Sequence, residues 1–197
     1  MNLFTSYPHS PYKSKKTSGF TIVELLIVVV VIAILAAISI VAYNGIQERA
    51  NNVKTIAAAK QVINLTQAYY TAYDTFPASV GSGYCATRDN KCTGSTGNVV
   101  DWDNGVFLDE LKKIGTPPDS ANAVTSAGAY GVSYRWHGLS NIIDGSVYPV
   151  RIEYYLQGEK KNCGLSNIVD SGLTSFSTTG YSRSESGQTV CWSMIAA

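Results

Sequence analysis

The chemistry open to this chain is narrow, because few of its side chains are of the types that do chemistry. Among 197 residues there are two histidines, His9 and His137, and four cysteines, Cys85, Cys92, Cys163 and Cys191. His137 stands in Arg135-Trp136-His137-Gly138 at the end of a strand-like run, without a Gly-x-Ser-x-Gly elbow anywhere to supply a nucleophile. Its type and place suit a surface or turn histidine. Asp101-x-Asp103-Asn104-Gly105 has the spacing of half a calcium loop, but Lys112 stands where such a loop needs its bidentate Glu. Asp103 reads better as a helix N-cap. No Cys-x-x-Cys pair supports zinc, and no glycine-rich loop supports phosphate binding. The reading is a non-enzyme with no catalytic residue, no metal and no cofactor.

The cysteines instead suggest two disulfides and an oxidising compartment. Four cysteines allow three connectivities. Closeness in sequence favours Cys85–Cys92 across a short turn and Cys163–Cys191 across a long C-terminal loop. Closing the longer loop is worth about 3 kcal/mol in the loop-entropy model.

The other residue of chemical interest is an acid in the wrong solvent. Phe20 to Val41 runs 22 residues with Thr21, Glu24 and Ser39 as its polar members. As a helix it covers roughly 33 Å, enough for a bilayer core of about 30 Å. A secretory signal peptide has a shorter apolar core, and a plain signal anchor gives no role to Glu24. An acid at mid-span costs about 2.5–3.5 kcal/mol on insertion scales and is usually paired. Lys13, Lys15 and Lys16 precede the span, and residues 1–19 contain no acid. The positive-inside bias therefore puts the N-terminus in the cytoplasm and the residues beyond Tyr43 outside.

Lys16-x-x-Gly19-Phe20-Thr21-Ile22-Val23-Glu24-Leu25-Leu26-Ile27-Val28 resembles the processing signal of type IV prepilins and related pseudopilins. The resemblance implies that a prepilin peptidase cuts between Gly19 and Phe20 and that the new amine of Phe20 is N-methylated. A glycine before the cut lets a protease approach the backbone closely. It further implies that Glu24 is an assembly contact, its carboxylate partnering the Phe20 amine of a neighbouring subunit. The partners implied are further copies in a helical filament, other pilins, the peptidase, the pilus assembly platform and the membrane. The 19-residue leader is longer than many in the family. The apolar segment also lacks the helix-breaking Pro or Gly of many pilins, which moves any kink or melting to Asn44-Gly45. The Cys163–Cys191 loop is similar to the disulfide-bounded C-terminal region of many pilins.

The elements that must position these residues follow from periodicity. Beyond the span, Ile46, Ala50, Val53, Ile56/Ala57, Ile63 and Tyr70 predict the core-facing stripe of a helix continuing to about Asp74, ended by Phe76-Pro77. A short helix should carry Val106, Phe107, Leu111 and Ile114 on one face, with Gly115 past its end. Strands are predicted at Ala129–Trp136, Val147–Leu156 and Gln188–Met194, with turns at Asn141–Gly145 and Gln157-Gly158 and an edge or strand start at Pro149.

The expected architecture is α+β: a long N-terminal α-helix, transmembrane then amphipathic, packed on a small antiparallel β-sheet head. The divisions are a basic leader (1–19), a transmembrane or filament-core helix (20–43), its amphipathic continuation (44–76) and a disulfide-bonded head (77–197). Without Lys13, Lys15 and Lys16, residues 20–197 hold 12 Lys+Arg against 14 Asp+Glu, a net charge of −2. No basic stripe is offered to nucleic acid. The expectation is a structural subunit of a type IV pilus, a surface filament for adhesion, motility or DNA uptake. It begins as a single-pass protein of the cytoplasmic membrane and ends in the extracellular filament. The alternatives are a pseudopilin of a type II-like secretion or competence system and a plain signal-anchored membrane protein.

Overall fold

The structure, a computed structural model, describes residues 19–79, 83–88, 92–93, 99–100, 106–119, 131–170, 172–183 and 187–197. The chain divides into two compact units between Tyr43 and Asn44.

Helix α1 runs from Ile22 to Tyr73, 52 residues, and passes through Asn44 and Gly45 without interruption. The single helix expected is present, and it does not melt at Asn44-Gly45. A helical Gly costs only about 1 kcal/mol relative to Ala, and long helical flanks on both sides absorb that through cooperativity. The helix stops at Asp74, which takes the left-handed conformation (φ 53°) while its N–H donates to the Tyr70 carbonyl at 2.8 Å. That terminates it three residues before Pro77.

In the first unit no α1 side chain is buried. In the second, the face that meets the head is Thr55, Ala58, Ala59, Val62, Thr66 and Tyr69. This corrects the expected stripe: Ile46 and Val53 are exposed, Ala50 and Ala57 likewise, and Ile56, Ile63 and Tyr70 lie at the margin of the core. Small residues bring the helix axis close to the sheet, so the contact face is marked by Ala and Thr rather than by the bulkiest apolar side chains.

The head is built on a sheet of seven described strands, all paired antiparallel. They are β1 (Tyr84–Cys85), β4 (Val132–Trp136), β7 (Val150–Gln157), β8 (Ile168–Val169), β9 (Phe176–Ser177), β10 (Tyr181–Arg183) and β11 (Gln188–Ile195). The order is β1-β4-β7-β11-β8-β9, with β10 also on β11. Two small pairs stand apart: β2 (Cys92–Thr93) with β3 (Val99–Val100), and β5 (Ile142–Ile143) with β6 (Ser146–Val147). The centre is the long β7–β11 pairing, from Val150↔Ile195 to Gln157↔Gln188. Alternation along β7 sends Val150, Ile152, Tyr154 and Leu156 into the core with Ala58, Ala59 and Val62 of α1.

The three predicted strands are present with shifted ends. Residues 129–130 lie outside the described set. The Val147–Leu156 run is divided: β6 closes a hairpin on Asp144 and Gly145, both at positive φ, and β7 begins directly after Pro149. So the cluster Asn141–Gly145 is a turn only at its last two residues.

Helix α2 (Val106–Lys112) buries Phe107, Leu108 and Leu111, while Val106 is exposed. Leu108 therefore takes the place expected of Val106. Gly115 follows, and a Cβ there would lie 2.8 Å from Leu65 of α1. Tyr69 of α1 donates its hydroxyl to Glu110, which also accepts from Lys113 Nζ at 2.6 Å. Burial and the Glu110 carboxylate together push Tyr69 up to about 12. The expected cap Asp103 lies outside the described residues.

Candidate functional site

The candidate site is the start of the apolar helix, residues 19–24. Gly19, Phe20 and Thr21 precede α1, and Phe20 is 84% exposed. Thr21 is the N-cap. Its carbonyl accepts the Leu25 N–H at 3.3 Å, and its hydroxyl accepts the Glu24 N–H at 3.2 Å. Glu24 reaches back in return, its Oε2 accepting from the Thr21 N–H at 2.9 Å and the Thr21 hydroxyl at 2.7 Å. This is a reciprocal capping box, which satisfies backbone donors that a helix start leaves without partners. Both bonds fall on one carboxylate oxygen, so the cap does not use the other.

Thr21 is the site residue that the sequence reading passed over as a polar exception. The Thr-x-x-Glu spacing ahead of an apolar run was the signal for it. Among the described residues a Cβ on Gly19 would meet nothing within 4 Å. Ser39, the remaining polar residue of the run, donates its hydroxyl to the Leu35 carbonyl at 2.7 Å.

The cysteines pair as proximity favoured. Cys85–Cys92 and Cys163–Cys191 are disulfide-bonded, with Cα separations of 5.5 and 5.8 Å. All four are buried. The first joins β1 to β2. The second ties the segment carrying β8, β9 and β10 back to β11.

His137, expected as a surface or turn histidine, directly follows β4 and is half-buried, and among the described residues its enclosed Nε2 has no hydrogen-bond partner. Burial, then the charges of Arg151 and Arg135, hold it down at about 4. Those arginines belong to the sheet face opposite the helix, where Arg135 Nε and Arg151 Nη2 lie 3.3 and 3.1 Å from Glu153 Oε2. Tyr155 donates to the same carboxylate, and Arg151 stacks over Trp192 at 3.9 Å. A protonated imidazole is disfavoured beside two guanidiniums. Asp101 and Asp103 fall outside the described residues, while Lys112 pairs with Asp109 at 2.8 Å. Among the described residues no group of three His, Cys, Asp or Glu could hold a metal.

Helix α1 is long and apolar enough at its start to cross a membrane, and its later part packs on an antiparallel, disulfide-stapled head. Residues 14–40 match a family model described as the prokaryotic N-terminal methylation motif. Fimbrial protein EcpC of Eikenella corrodens is 32% identical over 98 residues, 49% of this chain and 64% of that protein. A type IV major pilin protein PilE1 of Neisseria gonorrhoeae is 29% identical over 97 residues, 49% of this chain and 54% of its own length. A second PilE1 from that organism is 31% identical over 97 residues, 59% of its length. The chain thus spans between about half and two thirds of the curated relatives it matches. No solved structure matches it comparably. By its N-terminal motif, and over about half its length, the chain is similar to type IV pilins and a fimbrial protein.

Proposed function

We propose that the chain is a structural, non-enzymatic subunit of a type IV pilus, assembled through its apolar helix after the leader is removed. The observation that carries this reading is the helix from Ile22 to Tyr43, apolar and nowhere buried, with an acid at its head. Lipid can cover such a surface first and the helices of other subunits afterwards. Before processing the chain is a single-pass membrane protein with its N-terminus in the cytoplasm. The peptidase cuts between Gly19 and Phe20, where local packing leaves a glycine unexplained and protease access explains it. N-methylation falls on the Phe20 amine. Other copies, other pilins and the assembly platform are the partners in making the filament. The capping box serves Glu24 while the subunit is alone in lipid; in the filament its carboxylate partners the Phe20 amine of a neighbour.

Leucine at position 24 would leave that amine buried without a counter-charge, a loss of roughly 3–5 kcal/mol at each subunit contact. The test compares subunit in the sheared surface fraction with subunit in the membrane. Wild type should be abundant in the sheared fraction, Glu24→Leu nearly absent there though still processed and membrane-bound, and Glu24→Gln intermediate. Wild type confined to the membrane would remove the filament reading. Equal incorporation of wild type and Glu24→Leu would remove the role of Glu24.

A further inference from the structure

Four poor helix formers gather at one point of α1. Asn51, Asn52, Val53 and Thr55 stand within five positions, and Asn, Val and Thr lose more on entering a helix than Ala, Leu or Lys do. The Thr55 hydroxyl donates to the Asn51 carbonyl at 3.0 Å, a back-bond of the kind that weakens and bends a helix. Apolar support is missing just here. No residue from Asn44 to Lys54 is buried, and the buried face of α1 starts at Thr55.

What holds this stretch to the head is polar. Asn52 presents its side-chain amide to the backbone of Gln157 at the end of β7. Its Oδ1 accepts the Gln157 N–H at 2.7 Å, and its Nδ2 donates to the Gln157 carbonyl at 3.0 Å. One planar amide thus meets a backbone donor and acceptor as a neighbouring strand would. Among the described residues β4 pairs with β7 only as far as Tyr154, so Asn52 engages β7 beyond that limit. Lys161 reaches Glu48 at 2.6 Å alongside.

The head side of this clasp is braced. Thr189 donates its hydroxyl to the Gly158 carbonyl at 2.7 Å and accepts the Lys161 N–H at 2.9 Å. Gly158 sits at φ +86°, and a Cβ there would meet both Lys161 and Glu48. On the helix side Asn51 adds a longer bond, its Nδ2 donating to Gln157 Oε1 at 3.4 Å. An open groove of about 570 Å³, lined by Gly45, Glu48, Asn52, Ile56 and Lys161 among others, gives water access to it. Water competes with polar contacts in a way that it cannot with a packed core.

We propose that Asn51–Thr55 is a hinge in α1, held shut by the clasp between Asn52 and Gln157. When the clasp opens, the helix loses its support at its weakest point while its docked part, from Ala58 onward, stays packed on the sheet.

Asn52→Ala separates this account from propensity alone. Alanine is the best helix former, so propensity predicts slower amide exchange at residues 53–57 and the hinge predicts faster. Hydrogen exchange of the full chain in detergent micelles should show at least about tenfold acceleration at residues 53–57 and at Gln157. Residues 62–69 should change by less than about twofold. Asn52→Asp, which keeps the acceptor for the Gln157 N–H and loses the donor, should lie between and covers the case in which the alanine variant fails to fold. Unchanged or slower exchange at 53–57 would overturn the hinge. So would acceleration spread equally over residues 62–69.

Discussion

A carboxylate at the head of an apolar run is sustained here by its own helix start: Thr21 gives Glu24 a backbone and a hydroxyl donor within 3 Å. The sequence made Glu24 conspicuous, because an acid among Val, Ile and Leu has no bland explanation. Thr21 was legible in principle, through its spacing to Glu24, yet a threonine in such a run draws no attention alone. The disulfide pairing was legible because sequence proximity and spatial proximity coincide for these cysteines. His137 was not legible, since its environment is assembled from Arg135, Arg151 and Glu153 on two strands. Its depressed titration has a consequence for stability. A folded value near 4 against about 6.5 unfolded means that the unfolded chain takes up a proton first as pH falls. The contribution is therefore present in full above about pH 6.5 and is lost as pH drops toward 4, by up to about 1.4 kcal/mol per pH unit. Thermal unfolding of the full chain in detergent should show a smaller drop from pH 7 to pH 5 for His137→Gln than for wild type. Equal drops would mean that His137 is protonated as readily folded as unfolded.

At the scale of elements, the long helix, the short helix and the three main strands could be read from periodicity and breakers. The face of α1 that docks could not. Sequence patterning weights large apolar residues, whereas docking selects Ala58, Ala59 and Val62, which let the helix sit close over Val150, Ile152 and Tyr154. The same substitution at two neighbouring alanines tests this. Ala59→Leu should overpack the helix–sheet contact and destabilise the head by about 1–3 kcal/mol. Ala57→Leu, on the face first expected to dock, should change stability by no more than about 0.5 kcal/mol. Denaturant unfolding of both variants decides it, and the reverse ranking would restore the original stripe. The two-residue strands β1, β2, β3, β8 and β9 carry too few residues for any alternation to appear. Of their pairings, β1 with β4 and β8 with β11 join residues distant in sequence, which no local pattern encodes, while β2 with β3 and β8 with β9 are local.

At the scale of the whole molecule, an apolar helical stretch, residues 22–43, with no buried side chain and a disulfide-stapled head occur in one chain. A helix apolar on every side needs lipid or other helices around it. The motif matched over residues 14–40 and the similarity to pilin and fimbrial proteins point the same way. The central claim is that processing at Gly19–Phe20 releases a subunit that then leaves the membrane for a filament. Mass spectrometry of the N-terminal peptide of this chain, recovered from sheared surface material, tests it most directly. The account predicts a peptide beginning at Phe20 with one added methyl group on its amine. A peptide extending upstream of Phe20, or a chain found in membranes and never in the sheared material, would contradict it.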